Sequence, residues 1–89
     1  MRAYSLIFEE SYIKSLKRLD KATQKHITKW IKAHLLNTTN PYFSGKALTG
    51  NLKGHWRYRI GDYRLIVKIK DNELVIIAID IGHRKEVYR

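Results

Sequence analysis

From Ala3 to Phe8, apolar and polar positions alternate with the two-residue period of a strand, with Tyr4, Leu6 and Phe8 on one face or Ala3, Ser5 and Ile7 on the other. The period then changes. Glu9-Glu10-Ser11 supplies acidic and N-cap chemistry for a short helix whose apolar residues are Ile13, Leu16 and Leu19. Lys17 and Arg18 fall in its last turn, where the helix dipole favours cations. Asp20 is placed to cap a second, longer helix to about Leu36. Its apolar face is Thr23, Ile27, Trp30, Ile31, His34 and Leu35, and Lys21, Lys25, Lys29 and Lys32 lie mainly on the wet side. Asn37 to Pro41 stops this helix, and a loop follows from Tyr42 to His55. Alternation returns in Trp56–Ile60, Tyr63–Lys70 and Glu73–Ile81, joined by tight turns at Gly61-Asp62 and Asp71-Asn72. The order β-α-α-β-β-β predicts an α+β fold: a helical hairpin packed on one face of a small, mainly antiparallel four-stranded sheet, in one domain over residues 1–89.

A two-residue turn at Gly61-Asp62 sets the register of the first hairpin. Ile60 opposes Tyr63, Arg59 opposes Arg64, Tyr58 opposes Leu65, Arg57 opposes Ile66 and Trp56 opposes Val67. One face then collects Trp56, Tyr58, Leu65 and Val67, as a core does. The other collects Arg57, Arg59 and Arg64. Like charges directly opposed weaken a sheet, so this face calls for an anion. With Asp71-Asn72 as the second turn, Leu74, Ile76 and Ala78 face the core. Val75, Ile77, Ile79 and Ile81 join the arginine face as an aliphatic strip, which predicts a protein partner there. Gly82 allows the chain to leave the sheet, bringing His83 and the tail close to Tyr63 and Arg64.

Charge agrees with an anionic partner. Eighteen Lys and Arg against eight Asp and Glu give a net charge of +10, a balance that points to a polyanion such as RNA or DNA, or to an acidic protein. There is no cysteine, which excludes disulfides and thiolate metal sites and suits the cytoplasm. No apolar run is long enough to span a bilayer, and no signal peptide is evident, so no membrane partner is expected.

Trp56-Arg57-Tyr58-Arg59, Gly61-Asp62-Tyr63-Arg64-Leu65 and Gly82-His83-Arg84-Lys85-Glu86-Val87-Tyr88, taken in order with the opening strand, the helical pair and the Gly45-Lys46-Ala47-Leu48 and Leu52-Lys53-Gly54 loop, resemble the RelE/ParE superfamily of toxin–antitoxin toxins, on the RelE side. The resemblance implies a ribosome-dependent endoribonuclease that cuts mRNA in the A site, without metal or cofactor, by attack of the 2′-OH on the adjacent phosphate. It also implies a cognate antitoxin as partner, with operator DNA bound only through that antitoxin, and contacts to ribosomal RNA.

Carried over by motif, Arg57 and Arg59 stand where RelE itself has catalytic lysines; arginine keeps the charge but loses a group that can shuttle protons. Arg64 would hold the scissile phosphate, and Arg84 matches the basic residue after the last strand. Tyr88 matches a proposed base, and His83 is an alternative acid or base. Lys46, Lys53, Lys85 and Arg89 would contact RNA and the ribosome. Two other functions fit the same scaffold: a ParE-like inhibitor of DNA gyrase, and a non-catalytic basic nucleic-acid-binding module, which predicts salt-sensitive affinity without turnover.

Overall fold

A computed structural model describes residues 2–84. Lys85, Tyr88 and Arg89 lie outside the described residues. The strands are β1 (Ser5–Phe8), β2 (Lys46–Ala47), β3 (His55–Ile60), β4 (Tyr63–Lys70) and β5 (Val75–His83), with helices α1 (Glu10–Lys17) and α2 (Lys21–His34) following β1. They form one sheet in the order β1-β5-β4-β3-β2, with β1 parallel to β5 and every other pair antiparallel. The α+β architecture is as expected, with a fifth strand added: the two-residue β2 forms inside what the sequence presents as a loop.

The helices cover one sheet face. Tyr12 from α1 and Ile27, Ile31 and Leu35 from α2 and its end pack on Tyr58, Ile60, Leu65, Val67, Ile76, Ala78 and Ile81. Burial of this apolar surface is the main force holding helix to sheet, at about 25 cal/mol per Å². The inner stripe of α1 and the turn after it is Tyr12, Leu16 and Leu19, at i, i+4 and i+7, whereas Ile13 is exposed. Tyr4 and Leu6 turn inward from the β1 segment, the first of the two faces considered. Asp20 caps α2 as expected: its Oδ2 accepts the Thr23 N–H at 3.1 Å, and the Thr23 hydroxyl donates to Oδ1. These bonds, the hydroxyl first, hold the Asp20 carboxyl below its ordinary value. Asn37, in the left-handed region at φ 61°, turns the chain out of the helical direction.

The β3–β4 register matches the expected one at every pair, including Arg59 opposite Arg64. The β4–β5 register does not. The chain turns through a short 3-10 segment, Asp71–Glu73, and a left-handed Leu74 at φ 53°, so Lys70 pairs with Val75 rather than Glu73. The shift is an even number of residues and leaves Ile76 and Ala78 on the core face. A bulge then inserts Ile79, since Ile66 pairs with Asp80 and Val67 with Ala78. This corrects the placement of Ile81: it opposes Leu65 and is buried in the core, not on the arginine face. Helix α1 holds the bulge, with Ser11 Oγ donating to the Ile79 carbonyl and Ser15 Oγ to Asp80 Oδ1, both at 2.6 Å.

Several tyrosines report on this packing. Burial pushes Tyr12 up to about 12, and burial together with the Asp71 carboxylate does the same for Tyr42. Burial raises Tyr58 further still. A phenol whose folded pKa exceeds its unfolded value supports the fold fully below the unfolded value, near 10, and loses that support as pH rises through the folded one. Stability should therefore be flat up to about pH 10 and fall steadily above it. Absorbance titration near 295 nm, read beside circular dichroism, should show these phenols ionising late and together with unfolding. Normal titration of all tyrosines in the folded protein would contradict the packing.

Candidate active site

Strand alternation explains why the arginines share a face. Core-facing Tyr58 and Ile60 interleave with Arg57 and Arg59 on β3, and core-facing Leu65 puts Arg64 on the outer side of β4. The turn glycine Gly61, at φ 61°, closes the hairpin tightly enough to set Arg59 against Arg64. Arg64 is only 9% exposed, Arg57 is half-buried and Arg59 is exposed. Arg59 Nε donates to the Gly61 carbonyl at 3.4 Å and Arg64 Nη1 to the Tyr63 carbonyl at 3.3 Å, while Arg64 Nε is buried without a partner.

These three arginines line a groove of about 310 Å³ together with Ser44, Gly45 and Lys46. That is near the lower end for small-ligand sites, roughly 300–1,000 Å³. None of the residues lining it is acidic. Lys46 enters because β2 pairs with β3: its Cα partner is Arg57. The corner before it is pinned by the Trp56 indole, whose Nε1 donates to the Ser44 carbonyl at 2.8 Å. Gly45 makes the approach possible. It sits at φ 94°, and a Cβ there would fall 2.2 Å from the Arg57 carbonyl oxygen and 2.6 Å from Trp56 Nε1. Gly45→Ala should therefore push the corner off β3, destabilise the protein by more than about 1 kcal/mol, and lower any activity that needs Lys46 beside Arg57. Urea unfolding checks the first effect; wild-type stability in this variant would mean the corner is not held as described.

The other expected residues are placed as follows. Lys53 is exposed just after the 3-10 segment Gly50–Leu52 and does not line the groove. Strand β5 continues through Gly82, so the chain does not leave the sheet there. Gly82 pairs with Arg64, whereas His83 pairs with Tyr63, their rings 5.7 Å apart. Alternation therefore gives Gly82 the arginine face and His83 the face of Tyr63 and Ile81. Arg84 is exposed, and its N–H donates to the Asp62 carbonyl at 3.0 Å beside the hairpin turn. His55, read as a loop residue, is the first residue of β3 and falls on the face of Arg57 and Arg59, half-buried, with Nδ1 buried and unpartnered. Extending the alternation one residue before Trp56 would have found it. Among the described residues, no group of three His, Asp or Glu side chains is arranged to hold a metal, and no helix is long and apolar enough to cross a membrane.

On the outer face next to the groove, Ile66 is buried and Val75, Ile77 and Ile79 are half-buried. Ile7, which pairs with Ile77, is 48% exposed. The aliphatic strip is thus present without Ile81 and extended by β1.

Arg57, Arg59, Arg64 and Lys46 thus meet in one cationic groove on the sheet face opposite the helices. A family model described as the ParE toxin of the type II toxin–antitoxin system, parDE, matches residues 6–88. Toxin RelE of Mycobacterium tuberculosis is 30% identical over 86 residues, 97% of this chain and 87% of that one. Toxin RelG of the same organism is 35% identical over 49 residues, 55% of this chain; that match spans 56% of RelG's length. Among solved structures, a chain of the M. tuberculosis toxin–antitoxin complex RelBE2 superposes with a TM-score of 0.83 at 24% identity, covering 97% of each chain, which shows a shared fold. The chain belongs to the RelE/ParE superfamily of type II toxins.

Proposed function

We propose that this toxin is an endoribonuclease of the RelE kind, which cleaves mRNA in the ribosomal A site by attack of a ribose 2′-OH on the adjacent phosphate. The observation that carries the reading is the groove, where Arg57, Arg59, Arg64 and Lys46 converge with no lining carboxylate. Four cations around one cleft suit a phosphorane, which carries more charge than the phosphodiester it forms from. Forked guanidiniums hold phosphate oxygens in pairs. In this reading Arg57, Arg59 and Arg64 clamp the scissile phosphate and Arg84 approaches from the end of β5. Tyr88 takes the proton-transfer role, because His83 lies on the face of Tyr63 and Ile81, away from the arginines; Lys53, Lys85 and Arg89 contact RNA and the ribosome. The toxin acts in the cytoplasm, and a cognate antitoxin silences it. The relative in the RelBE2 complex supports such a partner, and the strip of Ile7, Val75, Ile77 and Ile79 offers it an apolar surface.

The test is expression without a partner. Growth should arrest, and primer extension should show new 5′ ends within codons of translated messages and none on untranslated ones. Intact message during arrest would refute the reading. A second reading, inhibition of DNA gyrase, is favoured by the ParE description of the matching family model. It predicts protein-linked DNA breaks and uncut mRNA in the same cells.

A further inference from the structure

We propose that Lys46 is the general acid of the site, protonating the leaving 5′-oxygen; this rests on the RNA-cleavage reading above. The sequence alone leaves a chemical gap at the hairpin. Arg57, Arg59 and Arg64 can neutralise charge, but a guanidinium stays protonated throughout the range in which proteins fold and cannot hand a proton over. An ammonium can do both. Among the described residues lining the groove, Lys46 is the one cation with a proton to give.

Its position is built. Gly45 carries the backbone against β3 in a conformation that tolerates no Cβ, Trp56 ties the Ser44 carbonyl, and β2 pairing sets Lys46 across from Arg57. Paired residues on adjacent strands share a face with Cβ atoms about 4.5–5.5 Å apart. The ammonium therefore works on the phosphate that Arg57 holds. Its approach is from the β2 edge of the sheet, with β5 three strands away, beyond β3 and β4. In-line displacement at phosphorus needs the attacking and leaving oxygens on opposite sides. An acid entering from the β2 edge leaves the opposite side of the phosphate to the attacking 2′-OH.

The step balances as follows. The 2′-oxygen forms a bond to phosphorus, and its proton passes to a base or to solvent water on the side away from Lys46. The bond from phosphorus to the 5′-oxygen breaks, with its electron pair leaving on oxygen. That oxygen takes a proton from Lys46 Nζ, giving a 5′-OH and a 2′,3′-cyclic phosphate. Solvent returns a proton to the neutral amine.

Two variants and two messages test the assignment on programmed ribosomes, under single turnover with the full chain. Lys46→Arg keeps the charge, and Lys46→Gln removes it. One message is natural RNA; the other carries sulfur in place of the bridging 5′-oxygen at the scissile linkage, a leaving group that departs without protonation. Both variants should cut natural RNA about 10²–10⁴-fold more slowly than wild type and cut the sulfur-containing message within a few-fold of it. Wild-type cleavage of natural RNA by Lys46→Arg overturns the proposal, because charge then suffices. Equal losses on both messages also overturn it, because Lys46 then serves binding alone. If wild type leaves both messages whole, the RNA-cleavage reading itself has failed. If wild type cuts and these patterns are absent, only the role of Lys46 has failed.

Discussion

Arg64→Gln should lower message cleavage by about 10²–10³-fold, the usual loss when one preorganised donor to a developing anion is removed, while leaving the fold intact. Arg64 is the most enclosed cation of the groove, at 9% exposure. Its place on β4 is set by Leu65, fully buried on the other side of the strand. Enclosure matters because a charge with little water around it interacts more strongly with the phosphate than an exposed one does. Glutamine keeps most of the aliphatic stem that packs there, and it removes the like-charge opposition to Arg59, which costs a sheet a few tenths of a kcal/mol. The melting temperature should thus stay within a few degrees of wild type or rise. Arg64→Lys should recover part of the rate, since charge returns without the fork. Induced cells read by growth and primer extension give the answer; full arrest and normal cleavage by Arg64→Gln would remove Arg64 from the site.

The second large effect is on stability. Tyr58→Ala should destabilise the protein by about 3–5 kcal/mol, the usual range for deleting a buried ring. Native domains hold only about 5–15 kcal/mol in all, so this variant should unfold at low urea and yield little soluble protein. Tyr58 has no exposed surface. Its ring meets Trp30 and Phe43 at centroid distances of 5.5 and 5.8 Å, and its hydroxyl donates to the carbonyl of buried Pro41. Tyr58→Phe isolates that last bond. It should cost about 1–3 kcal/mol, because the Pro41 oxygen is left without its partner. Tyr58 lies between Arg57 and Arg59 on β3, so loss of its packing should also loosen the groove. Chemical denaturation checks the order, Ala well below Phe and Phe below wild type; a Tyr58→Ala protein of normal stability would mean that β3 is not packed under the helices.

The hairpin was legible in the sequence because every constraint agreed. Gly61-Asp62 specified a short turn, and the aromatic and aliphatic positions on both strands fell on one face only in one register. Asp20 was legible for a similar reason, since a capping side chain sits before a clear apolar stripe. Other features were hidden. Tyr12 and Ile13 are both apolar neighbours, and only the angle at which α1 meets the sheet decides that Tyr12 goes inside. The turn after β4 presents Asp71-Asn72, a good two-residue signal, yet the chain spends more residues there. Tyr4 and Tyr42 both donate to the Asp71 carboxylate, a tertiary demand invisible to local pattern. Strand β2 is two residues long, below what periodicity can register, so Lys46 read as a loop cation rather than as a partner of Arg57. Its clue was Gly45, whose need for a side-chain-free approach appears only once β3 is beside it.

The extra residue at Ile79 means that β5 changes which side it offers partway along its length. Upstream, odd-numbered residues face outward; downstream, Ile81 faces in and Gly82 lies beside Arg64. Run on as a regular strand, the same residues would exchange the two sides for everything that follows, turning Ile81 out opposite Arg64 and setting Gly82, a position without a side chain, on the core face. The insertion thus sets the reading frame of the strand: it lets a stretch whose alternation changes phase keep Ile81 inside and Gly82 beside Arg64.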